Sequence, residues 1–242
     1  MNDPTLDRYL NGDYAEKNSD WDAADAPWKA TKISQLLHDH GYRPDSFVEI
    51  GTGSGAILSS LRAIFPEAAI TGFDIAPGAQ RFWQQRSTQS IRFALGDYLD
   101  MDEPAPDVVL LIDVLEHLGN PWEFLARLRG RCKLTVFHIP LDLSAASVLS
   151  EVPLLSVHNK VGHLHYFTKG LALAMLEECG FEVIEARYTG AAFSAPKRAE
   201  ARLKTYLAGL LRRITFAAFG DVAVRLFGGE TLMVLARPRG VT

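Results

Sequence analysis

The chain has 242 residues, 48 % of them hydrophobic and 22 % charged, with a formal net charge of −4. That length buries one sizeable core, and the composition is neither that of a disordered chain nor that of a membrane-spanning one. The charge is uneven: residues 1–188 hold 16 Lys and Arg against 26 Asp and Glu, which argues against a nucleic-acid track built from clustered cations.

The first 26 residues are polar and acidic and read as an irregular arm. Its Tyr14 and Trp21, with Trp28 and Lys29 just beyond, are expected either to close over a ligand or to dock on the core. The N-terminus has neither a basic region nor an apolar stretch, and Cys132 and Cys179 lack metal-ligand spacing. A cytoplasmic protein with reduced thiols is the expectation. Pro27 opens a helix whose apolar side carries Trp28, Ile33, Leu36 and Leu37 as far as Gly41.

Residues 46–56 are the most informative stretch. Phe47, Val48 and Ile50 suit a buried strand, Gly51, Gly53 and Gly55 alternate through a turn, and Ile57, Leu58, Leu61 and Ile64 recur with helical period. Glycines let a ligand approach the backbone, and the following helix turns its first N–H groups into the same space. Gly51, Gly53 and Ala56 also fit the dinucleotide pattern. The next strand, residues 69–74, ends on Asp74, an acid suited to both hydroxyls of an adenosine ribose. NAD and S-adenosylmethionine are equally well served up to this point.

A third strand, 91–95, leads into Gly96-Asp97-Tyr98, and a fourth, 108–112, into Asp113-Val-Leu-Glu116-His117. Asn120 caps the next helix, with Pro121 first and Glu123 reaching back. The fifth strand is 134–139, and residues 141–167 make a connector long enough to be functional. Thr168 caps a helix ending at Gly180, and strands follow at 181–188 and 231–236. Between them, residues 198–214 form an amphipathic helix with Leu203, Leu207, Leu210 and Ile214 on one face. We expect that face to pack on protein, membrane contact being the lesser alternative.

With these pieces in order, the chain resembles the class I S-adenosylmethionine-dependent methyltransferases, most closely the branch that includes ubiquinone-biosynthesis O-methyltransferases. The likeness rests on Glu49-Ile-Gly-Thr-Gly-Ser-Gly55, Phe73-Asp74-Ile75, Gly96-Asp97, Asp113-Val-Leu-Glu-His117, Gly162-His-Leu-His-Tyr-Phe-Thr168 and Glu178-Cys-Gly-Phe181. It implies an α/β fold, a doubly wound, seven-stranded, mostly parallel Rossmann-like sheet with an antiparallel last strand. The N-terminal arm and helix would occupy 1–45 and the methyltransferase domain 46–242, with accessory segments at about 141–167 and 190–230.

The resemblance also implies roles. Glu49 and the turn Gly51, Thr52, Gly53 and Gly55 would hold the methionine end of S-adenosylmethionine. Asp74 would take the ribose and Ile75 the adenine face. Asp97, with Tyr98 beside it, would meet the adenine amino group, and Asp113 would lie near the sulfonium and the methionyl amine. His117, His163 and His165 are the candidates for a base at the acceptor, with His138 placed by the same logic; 163 and 165 would face one side if extended. No metal is expected. The alternative is Asp113-x-x-Glu116-His117 as a ligand set, which is similar to the Glu-x-x-Glu-His element of plant small-RNA 2′-O-methyltransferases and implies Mg²⁺ there. The expected reaction is methyl transfer to a small-molecule acceptor at oxygen, with S-adenosylhomocysteine as product and no nucleic-acid partner. The competing readings are an NAD-dependent oxidoreductase, a binding protein without turnover, and a metal-dependent RNA 2′-O-methyltransferase.

Overall fold

Seven strands form the centre, and those in the middle of the sheet are nearly continuous apolar runs, a pattern that requires helices on both faces. The structure, a computed structural model, describes residues 7–12, 14, 18, 21, 23–87, 91–190 and 214–240. The strands are β1 Ser46–Ile50, β2 Ala69–Asp74, β3 Ile91–Leu95, β4 Val108–Ile112, β5 Leu134–Pro140, β6 Phe181–Tyr188 and β7 Thr231–Pro238. Their order is β3-β2-β1-β4-β5-β7-β6. β1 to β5 run parallel, and β7 runs antiparallel to both its neighbours, as the resemblance implied. The order reverses between β1 and β4, so a crevice opens beyond their carboxyl ends.

The longer helices are α1 Ala26–Asp39, α2 Ala56–Ile64, α3 Gln80–Arg86, α4 Pro121–Leu128, α5 Ala145–Ser150, α6 Val152–Lys160, α7 Lys169–Glu178 and α8 Asp221–Phe227; a single turn at Asp7–Leu10 precedes them. Ile33, Leu36 and Leu37 of α1 pack with Leu58 and Leu61 of α2 on one face of the sheet. Leu125 and Leu128 of α4 and Met175 and Leu176 of α7 cover the other. The predicted caps form: Asn120 accepts from the Glu123 N–H, and Thr168 from the Leu171 N–H.

Gly55 joins the turn to α2 with φ +73°, and a Cβ there would stand 2.5 Å from the Phe93 ring. No other residue fits that left-handed junction against β3 without moving it.

The connector at 141–167 departs from the sequence reading, because it contains α5 and α6. Ser144 and Ser147 form a reciprocal capping box, and Pro153 starts α6. Both helices are hard to read from periodicity because they turn Val148, Leu149, Val152 and Leu155 outward. The amphipathic stretch at 198–214 lies outside the described residues except for Ile214. Among the described residues no helix is long and apolar enough to cross a membrane.

Candidate functional site

The crevice is a cavity of about 440 Å³ lined by the carboxyl ends of β1, β2, β4 and β5, by α1 and by the N-terminal arm. Glu49, at the end of β1, is 1 % exposed and accepts a 2.7 Å hydrogen bond from the Thr52 hydroxyl. Burial pushes its carboxyl up to about 8, against weaker opposition from Thr52 and Lys29. Asp74, at the end of β2, accepts from the Gly53 N–H at 2.7 Å and the Ala76 N–H at 2.8 Å. Burial raises it to about 6, these backbone bonds pulling the other way. A carboxylate has more acceptor sites than two N–H groups use, so Asp74 retains capacity for a ligand.

Asp113 follows β4 with φ +56°, a left-handed conformation that Asp tolerates better than most residues. The turn sends its carboxylate to the Lys29 ammonium and to His138 Nδ1, each at 2.6 Å. Burial alone would raise its pKa, but His138 and Lys29 together outweigh that and hold it far below the usual carboxylate range. His138 Nε2 lies 2.9 Å from the Thr231 hydroxyl, which ties the β7 end to the network. Lys29, 84 positions from Asp113, is therefore a site residue whose partner no local pattern could have given.

The arm forms the roof. Trp21 lies so close over Gly53 that a Cβ there would be 2.9 Å from the ring. Tyr14 packs edge-on against Trp21, and Tyr9 and Tyr14 both present faces or edges to His117. Tyr14, Trp21, Trp28 and Lys29 all line the cavity. Two hydrogen bonds tie the roof to α6: Arg8 donates to the His158 carbonyl and Asn18 to the Lys160 carbonyl, both at 3.4 Å.

Beyond Asp113 the cavity continues to Glu116, His117 and His163. His117 Nδ1 lies 3.3 Å from the Gly162 carbonyl and His163 Nδ1 2.7 Å from the Asp142 carboxylate. Burial, then the neighbouring His163, pushes His117 down to about 4, so its imidazole is neutral at pH 7, against the unshifted value a solvated base would have.

Four expected site residues stand elsewhere. The Tyr98 ring is fully buried against Phe73, and its hydroxyl donates to the Arg131 carbonyl, so its side chain belongs to the core rather than to an adenine pocket. Asp97 accepts from the Leu99 N–H as a helix cap and lies 3.8 Å from Arg127, outside the cavity lining. Gly55 packs on Phe93 instead of facing the cavity. His165 turns away, its Nε2 2.9 Å from the Leu118 carbonyl and its ring near Trp122. The parity argument fails there because 162–168 is not a strand; the Leu164 and His165 N–H groups both donate to the Glu116 carbonyl. Asp113, for its part, faces Lys29 and His138 rather than joining Glu116 and His117 as a ligand set.

The methyltransferase-domain model matches residues 24–186, which take in most of the strand-end crevice, and the chain belongs to that family. A trans-aconitate 2-methyltransferase from Methylobacterium nodulans is 32 % identical over 116 residues, 46 % of this chain and 45 % of that protein, so the match spans less than half of that relative. Among solved structures, the Haloferax volcanii methyltransferase in complex with the Trm112 methyltransferase activator superposes with a TM-score of 0.64 at 17 % identity, covering 95 % of this chain and 96 % of that one. The plantazolicin methyltransferase BpumL, solved with S-adenosylhomocysteine and a desmethyl-plantazolicin analogue, gives 0.61 at 16 % identity, covering 97 % and 93 %. At these identities the two structures speak for the fold.

Proposed function

We propose that the protein transfers a methyl group from S-adenosylmethionine to a small-molecule acceptor at an oxygen atom. The observation that carries this reading is a single cavity lined by two unlike sets of residues: Gly51, Thr52, Gly53, Asp74 and Ile75, which we read as the cofactor end, and Trp28, His117, His138, Val161 and His163, which we read as the acceptor end. The first end fits the cofactor: a glycine turn, an acid at the end of β2 with spare acceptor capacity, and a buried acid at the end of β1. Asp74 would accept from the ribose, Ile75 would lie on the adenine, and Glu49 with Asp113 would face the methionine end.

S-adenosylmethionine, when bound, supplies a methyl group already activated on a sulfonium. The chain then has to align the acceptor in line and exclude water. The aromatic roof of Tyr9, Tyr14 and Trp21 does the second. The family assignment leaves no role for the dinucleotide alternative. A small-molecule acceptor is supported by the relative named for trans-aconitate, a carboxylic acid whose oxygens are candidate acceptor atoms.

The test is incubation of the protein with methyl-labelled S-adenosylmethionine and a panel of small hydroxy and carboxylic acids, amines and thiols. Labelled product from an oxygen acceptor is expected. Exclusive transfer to nitrogen or sulfur overturns the choice of atom. Tight S-adenosylhomocysteine binding with no transfer to any acceptor class favours the binding-protein reading.

A further inference from the structure

At the acceptor end of the cavity two imidazoles and one buried carboxyl group converge. The Gly162 carbonyl can only accept, so the proton of His117 sits on Nδ1 and the Nε2 lone pair is bare. The Asp142 carboxylate fixes His163 in the same tautomer. Both Nε2 atoms lie 4.0 Å from Glu116 Oε1, too far for a hydrogen bond. Glu116 is fully buried, and neither of its carboxylate oxygens has a hydrogen-bond partner among the described residues. A buried carboxyl group without a partner is uncommon in a folded protein, and a bound ion is one of the things that completes it.

We propose that Glu116, His117 and His163 bind a divalent first-row transition-metal ion at the acceptor end of the cavity. Their ligand atoms lie within 4.8 Å of one another. Metal–ligand bonds of about 2.0–2.2 Å set such atoms roughly 3–3.5 Å apart, so small side-chain rotations close the site. Two imidazoles and one carboxylate are the donor set of Zn²⁺, Mn²⁺ or Fe²⁺ sites that keep open coordination positions, and not of an all-oxygen Mg²⁺ site. Asp142 on His163 and the Gly162 carbonyl on His117 are the outer partners that orient metal-binding imidazoles.

The open positions would face the space left for the acceptor, so an acceptor with a coordinating oxygen would be held there. That last clause rests on the methyl-transfer reading; the metal site does not.

The test is an equilibrium measurement on the untagged full chain, stripped with chelator and titrated with Zn²⁺ by calorimetry and with Co²⁺ by visible absorption. One equivalent should bind with Kd at or below about 1 µM. Glu116→Gln and His163→Ala should each weaken binding by at least about 100-fold, and Asp142→Asn by roughly 10- to 100-fold. His165→Ala should leave it unchanged. S-adenosylhomocysteine affinity, measured on every variant, shows that the cavity is still folded and reports on the cofactor reading separately. Absence of Zn²⁺ and Co²⁺ binding by the wild type overturns the proposal. So does binding that survives Glu116→Gln combined with His163→Ala.

Discussion

Replacing Glu49 with Gln removes a carboxyl whose burial holds it at about 8, and the consequence for cofactor affinity depends on pH. At pH 7 such a group is about nine-tenths protonated. Pairing it with the methionyl ammonium requires the proton to leave, at a cost of about 1.4 kcal/mol at that pH. A hydrogen bond to the ionised group returns about 1.5–3 kcal/mol. The net contribution is therefore about 0–1.6 kcal/mol at pH 7 and the full amount at pH 9. Glu49→Gln should weaken S-adenosylhomocysteine binding by up to about 15-fold at pH 7 and by about 10- to 150-fold at pH 9. Calorimetry in two buffers of different ionisation enthalpy should show about 0.9 proton released by the wild type at pH 7 in excess of the variant, which carries the ligand's own titration as a baseline. Stability should move the opposite way. A carboxyl raised from 4.5 to about 8 is held protonated in the fold while the unfolded chain ionises, so the fold loses stability as pH rises between those values. By pH 7 that amounts to on the order of 3 kcal/mol, so Glu49→Gln should melt higher than the wild type at neutral pH and alike near pH 4.5. An affinity ratio that does not change with pH, together with no excess proton release, would refute the reasoning.

Asp74→Ala should weaken cofactor binding by about 1.5–3 kcal/mol per lost bond, read by calorimetry, with far-ultraviolet circular dichroism unchanged. Gly55→Ala should lower stability by about 1–3 kcal/mol, seen as a lower melting temperature, because φ +73° and the 2.5 Å approach to Phe93 both oppose a Cβ. His117→Gln should reduce turnover far more than His165→Gln, whose ring lies outside the cavity; equal losses in a single-turnover assay would contradict the assignment of the two.

The parts of the molecule that the sequence discloses are those whose signal is local. Strand, glycine turn and helix at 46–64 are consecutive, so period and turn chemistry place Glu49, Gly51, Thr52 and Gly53 together at the cavity. The antiparallel β7 came from the resemblance alone. What stayed hidden depends on side-chain direction or on distance. Tyr98 follows the Asp97 motif in sequence, but one tight turn swings its ring under β2. His163 and His165 separate because both neighbouring N–H groups bend toward one carbonyl. The Lys29–Asp113 pair joins elements 84 positions apart, and the Asp142–His163 pair spans the two helices inside the 141–167 connector. α5 and α6 escaped because their apolar residues face outward.

The roof has a kinetic meaning. Arg8 and Asn18 reach across to carbonyls of α6, so the arm and the insertion after β5 clasp each other above the cavity. A ligand beneath them is covered by two backbone-directed hydrogen bonds and by the packed rings of Tyr9, Tyr14 and Trp21. Residence time is then governed by how often the clasp springs open, while affinity is governed by the acids underneath. Changes to Arg8 or Asn18 would shorten the lifetime of the complex through the off-rate, and the cycle would run at the pace of product escape wherever methyl transfer itself is fast.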